Sequence, residues 1–251
     1  RYGTVTGVQT CALPIYGIPQ YRLPKEVLDK EIAIIEKLGV KMINGVKLGK
    51  DFTVASLKAQ NDAVIVAVGA WKSSSMRTPG EELDGIYGGI DFLRAVALKQ
   101  EINIGDKVVI CGGGNTAMDA CRTAVRLGAK EVYCVYRRTR NEMPAEDIEI
   151  TEAEEEGVQF KFLTNPISFN GKDKKVKSVT LQLMELGEPD ASGRRRPVAI
   201  EGKTEELDVD SVIVAIGQKL VCEDVSELKL TDRGNIEADI DTFKTDRKSV
   251  V

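Results

Sequence analysis

Gly112, Gly114 and Ala117 stand at G-x-G-x-x-A spacing directly after Val108-Val109-Ile110. Small residues so spaced suit a diphosphate. The first permits a tight turn, the second lets a pyrophosphate reach the backbone, and the third lets the next helix pack closely on its strand. The β-branched run before them reads as a buried parallel strand. Asn115 is expected to cap a helix running from Thr116 to Leu127. That segment has no Gly or Pro, and Ala117, Met118, Cys121, Ala124 and Val125 fall on one apolar face. The free amides and positive end of such a helix attract phosphate. A second strand, Val132 to Tyr136, then runs into Arg137 and Arg138, with Arg140 close behind. An NAD site usually places a carboxylate at this strand end, to accept from the ribose 2′-hydroxyl. Guanidinium groups instead pair with a phosphate that a carboxylate would repel. The constellation therefore reads as a site for a dinucleotide with a 2′-phosphate, NADPH in preference to NADH. The plainer alternatives are a βα turn without ligand and a solvated basic loop.

Other chemistries are narrowed by what the chain contains. It has no histidine, so histidine acid–base and histidine–metal mechanisms are excluded. Cys111, Cys121, Cys134 and Cys222 show neither C-x-x-C nor iron–sulfur cluster spacing. They are expected as buried, inert thiols in a reducing cytoplasm. No catalytic side chain and no metal ligand are predicted. The net charge of −4 gives no pull toward nucleic acid or an anionic membrane. No apolar run approaches membrane-spanning length.

The elements that must position the site follow from pattern. Pro24 suits the first turn of a helix reaching Leu38, with Val27, Leu28, Ile32, Ile35 and Leu38 as its apolar face and Gly39 as its stop. Val40 to Ile43 reads as a short strand, Thr53 to Gln60 as a short helix, and Ala63 to Val68 as a buried strand closed by Gly69-Ala70. Lys72 to Gly89 reads as a connection between domains. Ala145 to Glu156 is expected as an acidic helix with a solvated carboxylate face, and Val158 to Phe162 as a third strand. Residues 166–209 read as an antiparallel meander, broken at Asn170-Gly171 and at Asp190 to Gly193, with Arg194-Arg195-Arg196 solvated at a hairpin tip. Asp210 to Gln218 returns as a buried strand and echoes Asp62 to Ala70, as if two domains shared one closing strand. The ends read differently. Val5 to Ile15 and Asp246 to Val251 match translations of paired sequencing-library adaptors, so 1–15 and 246–251 are expected to lie outside the fold.

Taken together, Tyr16-Gly-Ile-Pro-Gln-Tyr-Arg-Leu-Pro-Lys25, the Gly69 turn, Thr78-Pro-Gly-Glu81, Gly112 to Asp119, Val135 to Pro144, Glu185 to Pro197 and Ala215-Ile-Gly-Gln218 resemble the small (beta) subunit of NADPH-dependent glutamate synthase and its flavoprotein relatives. Those relatives include the NADPH half of dihydropyrimidine dehydrogenase, ferredoxin–NADP transhydrogenase and sulfide dehydrogenase. The resemblance implies an α/β, glutathione-reductase-like architecture with two dinucleotide sites. An NADPH-binding, Rossmann-like domain with an antiparallel meander (77–218) would be inserted in a truncated FAD-binding domain (16–76 and 219–245). By the same resemblance Gly112, Gly114, Asn115 and Thr116 would hold the NADPH pyrophosphate, and Arg137, Arg138 and Arg140 the 2′-phosphate. Ala215, Ile216 and Gly217 would line the nicotinamide half. Arg22 and the Ile18-Pro19 loop would touch FAD, with the Val68-Gly69 turn nearby.

The implied activity is hydride transfer from NADPH to FAD, which needs no side-chain base because the cofactors carry the chemistry. Electrons would then pass to a larger partner, such as the glutamate synthase large chain or a ferredoxin-type acceptor. The FAD glycine turn and the closing Gly-Gly-Asp motif of the family are not in this sequence, and iron–sulfur clusters are expected only upstream or in the partner. An NADPH-binding module without turnover is the alternative from another class.

Overall fold

The computed structural model describes residues 6–7, 13–189, 193–220, 227–232 and 234–245. Cys11, Cys222 and the expected turn at 190–192 lie outside these residues. The chain divides into two compact units. The first comprises Arg1–Ile15, Gln20–Lys72 and Gln218–Val251, and the second Tyr16–Pro19 with Ser73–Gly217. No helix among the described residues is long and apolar enough to cross a membrane.

In the first unit Thr6–Gly7 (β1) pairs in parallel with Lys41–Met42 (β2). Helix α1, Lys25–Lys37, begins one residue after Pro24, which sits at its N-cap. Gly39 follows it at φ 88°, a conformation that favours glycine. The expected apolar face exists but is not covered among the described residues: no residue of α1 is buried, and Leu38 just beyond it is 78% exposed. Helix α2, Val54–Gln60, is closed by a reciprocal cap, Thr53 Oγ1 accepting from the Ser56 amide and Ser56 Oγ from the Thr53 amide, both at 3.0 Å.

The strand expected over 63–68 does not form, and Ile65 is 77% exposed. A β-branched run becomes a strand only beside backbone that can complete its ladder, and none of the described strands pairs with it. The extended pairing begins later, at Ala70–Ser73 (β3), against Gln218–Leu220. The echo between Asp62–Ala70 and Asp210–Gln218 is thus one of sequence without a matching pair of buried strands.

The second unit is built on a five-stranded parallel sheet. Its strands are Ile86–Gly88 (β4), Lys107–Cys111 (β5), Glu131–Tyr136 (β6), Gln159–Phe162 (β7) and Ser211–Val214, in the order β4, Ser211–Val214, β5, β6, β7. Helices Gly89–Ala97 (α3), Asn115–Arg126 (α4) and Asp147–Glu155 (α5) cover one face. Thr164–Lys172 (β8), Lys175–Pro189 (β9) and Arg195–Asp208 (β10) form an antiparallel sheet over the other, and Ser211–Val214 completes the numbering as β11. Strand β5 shows why its sequence is continuously apolar. Val108 and Ile110 pack toward the helices, while Val109 and Cys111 pack toward the antiparallel sheet.

The segment read as a connection is firmly held. The Glu81 carboxylate accepts from Ser75 Oγ at 2.7 Å, the Met76 amide at 3.0 Å and the Arg77 amide at 2.8 Å. A Cβ on Gly80 would come within 2.0 Å of the Phe169 carbonyl oxygen, so the Thr78-Pro-Gly-Glu81 motif locks onto β8. Its end, β4, is an edge strand of the parallel sheet, and α3 follows where no helix was expected. In the meander the chain turns at Asp173–Lys174, both at positive φ, and Asn170-Gly171 is instead a register shift within β8. Gly171 is favoured there because a Cβ would lie 2.8 Å from the Lys175 carbonyl oxygen.

The acidic helix is shorter than expected, and its carboxylates are not simply solvated. Arg122 of α4, its side chain 7% exposed, pairs with Glu149 at 2.8 Å, Glu152 at 2.6 Å and Glu156 at 2.8 Å. Arg126 adds a second pair to Glu156.

Asp210 ties the start of β11 to that of β5. Its Oδ2 accepts from the Asp106 amide at 2.9 Å and the Lys107 amide at 3.0 Å. The Lys107 amide above all, against a smaller opposing effect of burial, holds the carboxyl below the usual carboxylate range. A carboxyl depressed by folding adds stability above its unfolded pKa and loses it as pH falls through the folded value. Asp210→Asn is therefore expected to lower unfolding free energy by about 1 kcal/mol at neutral pH. The deficit should shrink below about pH 4, which urea unfolding at several pH values would measure.

Candidate dinucleotide-binding site

The glycine turn joins β5 to α4 in the centre of the sheet, where β6 and β11 lie on opposite sides of β5. That is the crevice in which open α/β sheets bind ligands. The three glycines differ in their surroundings. Gly112 is at φ 149°, and a Cβ there would lie 2.3 Å from the Ala215 carbonyl oxygen. A Cβ on Gly113 would strike the Tyr136 ring at 2.6 Å. At Gly114 nothing comes closer than Pro144 Cγ, at 3.8 Å. The first two glycines let protein pack on protein, and the third leaves space beside the backbone for something that is not protein.

Helix α4 begins at Asn115 with no side-chain cap. Asn115 is thus the first helical residue and not the N-cap, which is Gly114. The Asn115 Oδ1 is used elsewhere, accepting from the Glu146 amide at 3.1 Å. The first amides of α4, including those of Asn115 and Thr116, have no acceptor within the helix. An open glycine before uncapped amides at the positive helix end fits a pyrophosphate.

The loop after β6 is fixed against this turn. The Ala145 amide donates to the Gly113 carbonyl at 3.1 Å, and Tyr136 Oη to the Glu142 carbonyl at 2.7 Å. Glu142 in turn accepts from the Thr139 amide at 3.1 Å and Thr139 Oγ1 at 2.5 Å. These positioning residues were missed in the sequence, although Thr139-x-x-Glu142 is a legible capping-box pattern.

The three arginines are not equivalent. Arg137 is exposed, with no hydrogen bond or ion pair among the described residues. Arg138 is 6% exposed, and its Nε donates to the Arg195 carbonyl at 2.7 Å. Arg140 is turned toward α5, pairing with Glu154 at 2.7 Å and donating to Thr151 Oγ1 at 2.9 Å.

Ala215 also adjoins the turn. Its amide donates to the Cys111 carbonyl at 2.8 Å. Ile216 is 44% exposed, and the Gly217 carbonyl accepts from the Ser74 amide at 3.0 Å. A cleft beside the ends of β4 and β11 is lined by Ser73, Ser74, Tyr87, Gly88, Asp91 and Val214, with Ser73 Oγ donating to Asp91 at 2.7 Å. The remaining candidates are divided. Ile18 and Pro19 belong to the second unit, and Arg22, Val68 and Gly69 to the first.

Cys111, Cys121 and Cys134 are buried and unbridged. Burial first, with neighbouring Cys134 adding, pushes the Cys111 and Cys121 thiols well above their ordinary range. Such raised thiols disfavour the nucleophilic thiolate at Cys111 and Cys121.

A parallel sheet with helices on one face, an antiparallel sheet on the other and a glycine turn at its centre is the architecture of dinucleotide-binding domains. Residues 12–250 match the pyridine nucleotide-disulphide oxidoreductase family, and the chain belongs to it. It is 45% identical, over 80% of its length, to the NADPH-Fe(3+) oxidoreductase subunit beta of Geobacter sulfurreducens, of which it covers 31%. It is 36% identical, over 86% of its length, to the glutamate synthase [NADPH] small chain of Halomonas elongata, of which it covers 47%. The chain thus spans about a third to three fifths of the length of the curated relatives it matches. Mycobacterium tuberculosis FprA in complex with NADPH has the same fold, with a TM-score of 0.75 at 22% identity over 90% of this chain and 67% of that one. The expected two-dinucleotide-binding fold and the resemblance to glutamate synthase small chains both hold.

Proposed function

We propose that this chain is the coenzyme-binding part of an NADPH-dependent flavoprotein oxidoreductase subunit of the glutamate synthase small-chain type. The observation that carries the reading is the open space at Gly114 before the uncapped start of α4, with Arg137 exposed at the end of the adjacent strand β6. In this reading Gly112, Gly114, Asn115 and Thr116 receive the pyrophosphate, and Ala215, Ile216 and Gly217 flank the nicotinamide half. Arg137 is the principal 2′-phosphate ligand, while Arg138 and Arg140 shape and charge its surroundings. FAD is assigned from the family, with Ile18, Pro19, Arg22, Val68 and Gly69 as its contacts in this chain.

When bound, NADPH supplies a hydride and FAD accepts it; the residues named here orient and bind. The relatives are named as a beta subunit and a small chain, which supports a larger partner subunit as the electron acceptor. The glutamate synthase large chain is the partner favoured here, with ferredoxin and sulfide systems as the competing acceptors.

Titration with NADPH and NADH tests the coenzyme assignment. Arg137→Ser is expected to weaken NADPH by about tenfold or more, while NADH binding is unchanged. Equal loss for both coenzymes, or no loss, overturns the 2′-phosphate role. Addition of FAD to the same sample then separates an oxidoreductase part from an NADPH-binding module.

A further inference from the structure

The hairpin formed by β9 and β10 carries Arg194, Arg195 and Arg196, which the sequence presents only as a solvated tip. The structure gives them an address. Arg138 directly follows Arg137, and its Nε donates to the Arg195 carbonyl at 2.7 Å. Arg195 stands opposite Pro189, which has no amide hydrogen to offer that carbonyl. The loop is held from a second direction as well. The Leu163 amide donates to the Arg138 carbonyl at 3.1 Å, and the Met184 amide of β9 to the Leu163 carbonyl at 2.8 Å. The hairpin therefore lies against the arginine loop at the end of β6.

Two of its three arginines, Arg195 and Arg196, have no carboxylate partner among the described residues. Arg195 directs its guanidinium along the hairpin, to the Leu186 carbonyl at 2.6 Å and the Gly187 carbonyl at 3.1 Å. Carbonyls fix a guanidinium without neutralising it. Among the described residues none of Arg137, Arg195 and Arg196 pairs with a carboxylate, although the chain as a whole has a net charge of −4. Cations gathered beside one another repel, and an anion between them offsets that repulsion.

We propose that the β9–β10 hairpin is a wall of the adenosine-phosphate site, and that Arg196 is a specificity-determining residue which, with Arg137, selects a coenzyme bearing a 2′-phosphate. This rests on the NADPH reading given above. The hairpin fixes the loop through Arg138, and Arg196, next to the residue whose carbonyl Arg138 holds, supplies a second positive charge for the doubly charged phosphate. Since NADH has no such group, Arg196 should be silent toward it.

The test is calorimetric titration of NADPH and NADH into the full chain and into Arg196→Glu, Arg196→Gln and Arg137→Ser variants. Arg196→Glu is expected to raise the NADPH Kd about tenfold and Arg196→Gln by a smaller factor, with the NADH Kd unchanged in both. If Arg137→Ser weakens NADPH and both Arg196 variants bind it normally, the hairpin proposal fails and the 2′-phosphate reading survives. If no variant alters the preference for NADPH over NADH, both fail. Loss of NADPH and NADH in parallel would also overturn the proposal, because it marks structural damage in place of phosphate selection.

Discussion

Gly114→Leu is expected to abolish most coenzyme binding while leaving the fold almost untouched. The backbone at Gly114 has φ −97° and ψ 177°, which any residue adopts, so leucine introduces no strain. The nearest atom to its Cβ is 3.8 Å away, so the side chain would project into the open space before α4. That is the space a pyrophosphate must enter to reach the first amides of the helix. An affinity loss of about 100-fold, near 3 kcal/mol, should apply to NADPH and NADH alike. The melting temperature should move by no more than about 2 °C. Gly113→Ala is the matched control, because its methyl group would meet the Tyr136 ring at 2.6 Å and must disturb packing before it disturbs ligand. Normal NADPH affinity in Gly114→Leu would refute the pyrophosphate assignment outright.

Arg122→Ala is expected to produce the largest loss of stability. The Arg122 and Glu149 side chains are 7% and 11% exposed, and the guanidinium also serves Glu152 and Glu156. Removing it strands a buried carboxylate beside two others, which costs about 3–5 kcal/mol. In a unit of this size the melting temperature should fall by about 10 °C. The pH dependence carries a second signature. Burial pushes the Glu156 carboxyl up, but Arg126 and Arg122 outweigh burial and hold it below the usual range. A depressed carboxyl stabilises above its unfolded pKa and ceases to do so as pH falls through its folded value. The gap between wild type and Arg122→Ala should therefore narrow below about pH 4.3. Arg122→Met combined with Glu149→Leu should recover part of the loss, since a well-packed apolar pair avoids the stranded charge. A deficit under about 1 kcal/mol in the single variant would show the network to be solvent-screened.

Much of the second unit was legible because its signals are local. A β-branched run, a glycine turn and a helix of regular period determine one another within a few residues, and β5, α4 and β6 appear where the pattern places them. What was not legible depends on neighbours distant in sequence. The run over 63–68 has strand composition, but a strand exists only by pairing. The converse holds for Ile86–Gly88, three residues bordered by glycines that become a strand only because β11 lies alongside. Asn170-Gly171 has turn composition, yet both residues stay paired with β9, and the chain turns at Asp173–Lys174. Charge was the least readable property. The carboxylates of α5 look solvated until Arg122 is placed among them, and three similar arginines after β6 divide into one exposed, one buried and one turned to a neighbouring helix.

The two-sided setting of β5 has a consequence for how such a chain can diversify. Its alternate residues answer to separate layers, Val108 and Ile110 to the helices and Val109 and Cys111 to the meander. Remodelling of the rear layer therefore need not be transmitted to the front one. A lineage could remodel the meander away from the β9–β10 hairpin, which Arg138 ties to the end of β6, and keep the glycine turn unchanged.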